Sequence, residues 1–102
     1  MRRAVHGPND RFHIIPKVEL HRHLEGSLHL ETILDIARAH KIDIPVDITR
    51  LNRLVQVQND EPFTFQNFLA KFAAQRLLYR SPEIIRRVTR EAVEDAARDN
   101  VR

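Results

Sequence analysis

From Lys17 onward, the stretch Ile14-Ile15-Pro16-Lys17-Val18-Glu19-Leu20-His21-Arg22-His23-Leu24 alternates apolar and polar side chains one for one. This period of two predicts a β-strand, with Pro16 tolerable at its first position. Glu25-Gly26-Ser27 breaks the pattern, and the period then lengthens. Leu30, Ile33, Leu34 and Ala37 recur at helical spacing with Glu31, Asp35 and Arg38 on the other side, which predicts an amphipathic helix running to His40. Ser27 is the expected cap region.

Three more helices follow from start signals and periodicity. Asp47 is an N-cap residue for a short helix over residues 47–54, after the stop at Ile42-Asp43-Ile44-Pro45. Beyond the polar break Gln58-Asn59-Asp60-Glu61-Pro62, Thr64 can cap a helix whose apolar side is Phe65, Phe68, Leu69 and Phe72. Ser81-Pro82-Glu83 combines a capping hydroxyl, a proline at the first helical position and an acid in the first turn. The stripe Ile85, Val88, Ala92 and Ala96 is expected to be buried. Glu83 with Arg87 and Glu94 with Arg98 are spaced to pair along the exposed side. Asn100 suits the helix stop.

One strand followed by about four helices is an α/β pattern, yet a lone strand leaves backbone donors and acceptors unpaired at both edges. The expected organisation is therefore an arm over residues 1–15, rich in the turn formers Gly7, Pro8, Asn9 and Asp10, followed by a domain portion over 16–102 that stops before a second strand.

Composition narrows the function classes. Apolar residues make up 42% of 102 residues, enough to drive folding rather than disorder. The formal charge of +3 does not form a single-sign patch, because the arginines of residues 83–98 are interleaved with acids. A solvated helix face is expected, not a nucleic-acid or membrane surface. Arg2 and Arg3 precede no apolar run that resembles a signal peptide or a bilayer span, and a cytoplasmic setting is expected. With no cysteine, disulfide scaffolds, thiolate zinc sites and cysteine nucleophiles all drop out. A firmly held metal must use histidine and carboxylate, which directs attention to the six histidines.

Side chains two apart on a strand share a face, so Lys17, Glu19, His21 and His23 project together, and Glu19 is in position to pair with Lys17. The two imidazoles sit just before the Glu25-Gly26-Ser27 break, at a strand end where barrel enzymes place catalytic groups. By spacing alone, the commoner reading of His-x-His is a hydrogen-bonded or exposed pair on an edge strand. Gly26 serves either a plain turn or the close approach of a ligand. His6, His13, His29 and His40 have no partner at ligand spacing.

The wider motif is more specific. Pro16-Lys17-Val18-Glu19-Leu20-His21-Arg22-His23-Leu24-Glu25-Gly26-Ser27 closely resembles the first-strand signature of the adenosine and AMP deaminase family. The resemblance continues through Glu31-Thr32-Ile33-Leu34, through Phe68-Leu69-Ala70-Lys71-Phe72, and into the helix after Ser81-Pro82. It implies the N-terminal portion of a (β/α)8 TIM barrel, an incomplete barrel with the first strand and about four helices. It also implies a Zn2+ cofactor held by His21 and His23, with a further histidine and an aspartate supplied from later in such proteins. The implied chemistry is hydrolytic removal of a purine amine with release of ammonia.

By the same resemblance His23 and Glu25 lie beside a small-molecule purine nucleoside or base, with Gly26 as the position that would let it approach closely, and Phe65, Phe68, Leu69 and Phe72 resemble the apolar helix that covers the pocket. Core packing accounts for that stripe equally well. Glu25 stands where adenosine-specific animal members carry aspartate, and the longer acid occurs in relatives acting on adenine or other aminated purines; a solvated turn acid is the alternative. No catalytic acid or base is implied within these residues, so the chain alone is expected to be inactive. The rival readings are another barrel amidohydrolase and a non-catalytic helical binding module. Oligomeric state is not legible.

Overall fold

A computed structural model describes residues 11–102. The turn cluster at residues 7–10 and most of the expected arm therefore lie outside the described residues. Helices α1 (Leu30–His40), α2 (Ile48–Val55), α3 (Phe65–Arg76) and α4 (Pro82–Arg98) follow a short 3-10 turn, Leu24–Gly26.

Local capping chemistry places three of the four helix starts. Asp47, Thr64 and Ser81 accept hydrogen bonds from the backbone N–H groups of Thr49, Asn67 and Ile84, satisfying donors that a helix leaves orphaned. The start of α1 departs from expectation. His29 is its N-cap residue without a side-chain cap, and Ser27 donates its hydroxyl to the His23 carbonyl within the preceding turn. At the end of α4, Asn100 adopts a left-handed φ of 61°, and the N–H groups of Asn100 and Val101 return to the carbonyls of Ala97 and Ala96. That pattern is a Schellman stop, as the asparagine suggests.

The expected α/β class, a first barrel strand with its helices, is not what the chain adopts. Among the described residues there is no strand, only an isolated parallel bridge between Lys17 and Val101. Alternation supplies two faces, but a strand also needs a hydrogen-bonding neighbour along its length. Lys17 alone has one: its N–H donates to Asn100 O at 3.0 Å, and its carbonyl accepts from Arg102 N at 2.8 Å. Val18 and Leu20 are correspondingly exposed, Leu20 to 91%.

The core is built by helices. Ile33, Leu34, Ile36 and Ala37 of α1 meet Leu51 and Val55 of α2, with Ala74, Leu78, Ile84 and Val88 completing the cluster. Ile33, Leu51 and Leu78 are fully buried. Of the expected α4 stripe, Val88 and Ala92 are buried and Ala96 is half-buried, but Ile85 is 47% exposed and Ile84 takes its place, with Glu91 buried beside them. Residues 84, 88, 91 and 92 keep the i, i+4, i+7, i+8 spacing, so the periodicity was legible and only its origin shifted by one residue.

Polar contacts join α1 to α4. Thr32 donates to the buried Glu91 carboxylate, Arg87 donates to Glu91 and to Asp35 at 2.9 Å each, and His29 pairs with Asp95. Arg87 thus bonds Glu91 and Asp35, not the expected Glu83, whereas Glu94 and Arg98 do approach to 3.6 Å. No described helix is long and apolar enough to cross a membrane.

Candidate functional site

His21 and His23 lie between the Lys17 bridge and the 3-10 turn, and their side chains converge. The ring centroids are 4.8 Å apart, and the two Nε2 atoms are separated by 3.0 Å. Two nitrogen ligands at about 2.0–2.1 Å from one tetrahedral ion stand about 3.3 Å apart. The observed 3.0 Å, at which one ring N–H donates to the other nitrogen, is close to that spacing, and a pair of imidazole donors fits the ligand preference of zinc once that proton is lost. Among the described residues, no group of three or more histidine, cysteine or carboxylate side chains is arranged to hold a metal.

Glu19 does not pair with Lys17. It accepts from the Arg22 guanidinium at 3.0 and 3.3 Å and from the His21 backbone N–H at 3.2 Å. The Arg22 hydrogen bonds first, and the His21 N–H second, hold its carboxyl below the usual carboxylate range. A negative charge therefore stands beside the histidine pair at neutral pH.

Helix α3 supplies an aromatic wall. Phe72 packs against His23 with centroids 5.7 Å apart, and Phe68 meets Phe72 edge-to-face at 5.1 Å and 88°. Gly26 makes this approach possible: a Cβ there would sit 3.0 Å from Phe72 Cε1, closer than side chains ordinarily pack. Its φ is not positive, so what the glycine provides is room beside the Phe72 ring and not relief of backbone strain. Gly26, Val55, Phe68, Phe72 and Gln75 border a shallow pocket of about 140 Å³.

Phe65, Phe68 and Leu69 are all exposed, Phe65 to 69%. The expected apolar side of α3 thus faces away from the core, because the helix packs through Ala74 and Gln75 at its C-terminal end. Glu25 is half-buried in the 3-10 turn. Burial foremost, and the Glu25 carboxylate after it, push the Tyr79 phenol up to about 12.

The structure brings His21, His23, Gly26, Phe68 and Phe72 together, while Phe65 and Leu69 lie further along the exposed side of α3. The sequence placed Phe72 on the apolar helix with Phe65, Phe68 and Leu69, but not its contact with His23, which joins residues distant in the chain.

Comparison with known proteins bears on this arrangement. The chain is 37% identical over 92 residues to an adenosine deaminase of Clostridium botulinum strain Hall, covering 89% of this chain and 27% of that protein. It is 40% identical over 88 residues to an adenosine deaminase of Danio rerio, covering 84% and 24% respectively. The chain thus spans about a quarter of the length of the curated relatives it matches. No solved structure matches it. The family model described as adenosine deaminase matches residues 16–102, from the start of the histidine motif through the whole helical array, and the chain belongs to the adenosine deaminase family.

Proposed function

We propose that this chain supplies two zinc ligands and part of the substrate surface of a hydrolytic purine deaminase, one that removes the 6-amino group of adenosine or a related aminated purine and releases ammonia. The observation that carries this reading is the 3.0 Å approach of the His21 and His23 Nε2 atoms. When bound, zinc supplies Lewis acidity that makes water a nucleophile near neutral pH.

The residues of the chain divide the remaining work. His21 and His23 orient the ion through two nitrogen donors, and Phe72 packs on the second imidazole and limits its rotation. Phe68 and Phe72 present apolar ring surface suited to a flat purine, with Phe65 and Leu69 extending it along α3. His23, Glu25 and Gly26 border the substrate, where Glu25 accepts a hydrogen bond from a ring N–H, amine or hydroxyl. Its extra methylene relative to aspartate favours adenine or another aminated purine as the alternative to the nucleoside. A cysteine-free chain suits a cytoplasmic setting.

Zinc titration followed by the imidazole proton resonances tests the metal reading. His21→Ala and His23→Ala are each expected to weaken zinc binding at least tenfold, on the order of what losing one ligand of a chelating pair costs. Undiminished binding in both variants would refute it. Because two donors leave the tetrahedral set incomplete, the 102-residue chain is expected to release no ammonia from adenosine. Sustained release would overturn that part of the reading.

A further inference from the structure

The geometry points to Lys17 as a positioning residue for the histidine pair, fastening the segment that carries both imidazoles to the end of α4. This rests on the metal reading above and extends it to a residue four positions before His21, which touches neither ring nor ion.

The Lys17 ammonium is surrounded by oxygen. It donates to the carbonyls of Phe12 at 2.6 Å, Ile15 at 3.1 Å and Asp99 at 2.8 Å, and meets the Asp99 carboxylate at 3.2 Å. Asp99 is the C-cap residue of α4, so the cation sits where the helix dipole is negative and the last carbonyls lack intrahelical partners. The backbone of Lys17 forms the parallel bridge to Val101, and Asn100 Nδ2 donates to Ile14 O at 2.9 Å. The Lys17 side chain thus ties Phe12 and Ile15 to Asp99, and its backbone with the Asn100 side chain joins residues 14–17 to residues 100–102.

What this does for the histidines follows from where the segment is held. Among the described residues, those from 18 to 22 make no backbone–backbone hydrogen bond. The next such anchor is His23 O, which accepts from Gly26 N at 3.0 Å. His21 and His23 thus occupy a span fixed at Lys17 on one side and at the 3-10 turn on the other. Without the Lys17 ammonium that end is held only by the backbone bridge to Val101 and the Asn100–Ile14 hydrogen bond, and ordering two imidazoles toward one ion from a looser span costs more conformational entropy on every binding event.

Alternating side chains placed Lys17 on the same face as the histidines, but its chemistry concerns the α4 terminus. A methionine of similar length fills the space without donating. Arginine keeps the charge, yet its planar fork spreads its donors and does not reproduce the compact ammonium, whose three N–H groups serve the Phe12, Ile15 and Asp99 carbonyls.

The test is zinc titration of the 102-residue chain, its His23→Ala control, Lys17→Met and Lys17→Arg, followed by the His21 and His23 ring protons, with helix content monitored by far-ultraviolet circular dichroism. Lys17→Met is expected to bind zinc about tenfold more weakly, the scale at which supporting residues act on metal affinity, while retaining its helix signal and losing inter-ring proximity in the nuclear Overhauser spectrum. If Lys17→Met loses helix, Lys17→Arg decides: weaker zinc binding with an intact helix signal supports the inference. Wild-type affinity in a folded Lys17 variant overturns it while leaving the metal reading intact. Zinc binding by the parent chain that His23→Ala does not reduce, or no binding at all, overturns the metal reading and this inference with it.

Discussion

Replacing Leu51 by alanine should unfold the helical array at markedly lower temperature, whereas the same change at Leu20 should pass almost unnoticed. Leu51 is 0% exposed where α2 meets the central cluster, and Leu20 is 91% exposed on the segment before the 3-10 turn. The substitution removes three buried carbons at about 0.8 kcal/mol each, or about 2.4 kcal/mol of transfer free energy. The cavity left behind adds to this, since neighbours relax only in part, and brings the expected loss to about 3–5 kcal/mol. For a chain of this size each kcal/mol shifts Tm by about 4–8 °C, so Leu51→Ala should lower it by at least about 12 °C. Leu20→Ala should stay within about 0.5 kcal/mol of the parent. Thermal unfolding followed by far-ultraviolet circular dichroism measures both. Equal shifts for the two variants would refute the placement of the core among α1, α2 and the residues after α3.

Tyr79 is the sole tyrosine and the chain has no tryptophan, so near-ultraviolet absorbance reports its ionisation directly. The phenol should titrate near about 12 in the folded chain instead of 10.0. Its protonated form is the one favoured by folding, so this contribution is complete below about pH 10 and lost as pH rises from there through about 12. A midpoint at the ordinary value in the folded chain would contradict its burial. Asp60 and Glu61 shift the other way, held down chiefly by hydrogen bonds from Arg53 and Lys71 respectively. Carboxyls lowered on folding contribute stability above their unfolded values of 3.8 and 4.5, and that contribution disappears as pH falls through the folded values. Tm should therefore drop as pH falls below about 5, and less steeply in Glu61→Gln; parallel curves for variant and parent would dismiss the Lys71 pairing.

The candidate site was legible in part. The approach of His21 and His23 follows from two imidazoles spaced by one residue in a chain segment that does not coil, a relation needing no distant partner. The chemistry assigned to them came from a motif, Pro16 through Ser27, far more specific than the spacing. The Phe72 wall against His23 was not legible, because it depends on the packing of α3 through Ala74 and Gln75, which turns Phe65, Phe68 and Leu69 outward. Nor was the role of Lys17, whose four oxygen partners lie up to 82 residues away.

Capping groups and helical periods act within one or two turns of chain, and for that reason Asp47, Thr64, Ser81 and Asn100 could be read before any coordinates. Alternation from Lys17 to Leu24 is equally local but insufficient, since a strand exists only when a second segment lies alongside it, and here that meeting is limited to Lys17 and Val101. The buried phase of α4, the outward side of α3 and the clamp at Lys17 all arise from contacts between residues distant in the chain. Those contacts depend on how several amphipathic surfaces share one core, a competition that no single window of residues contains.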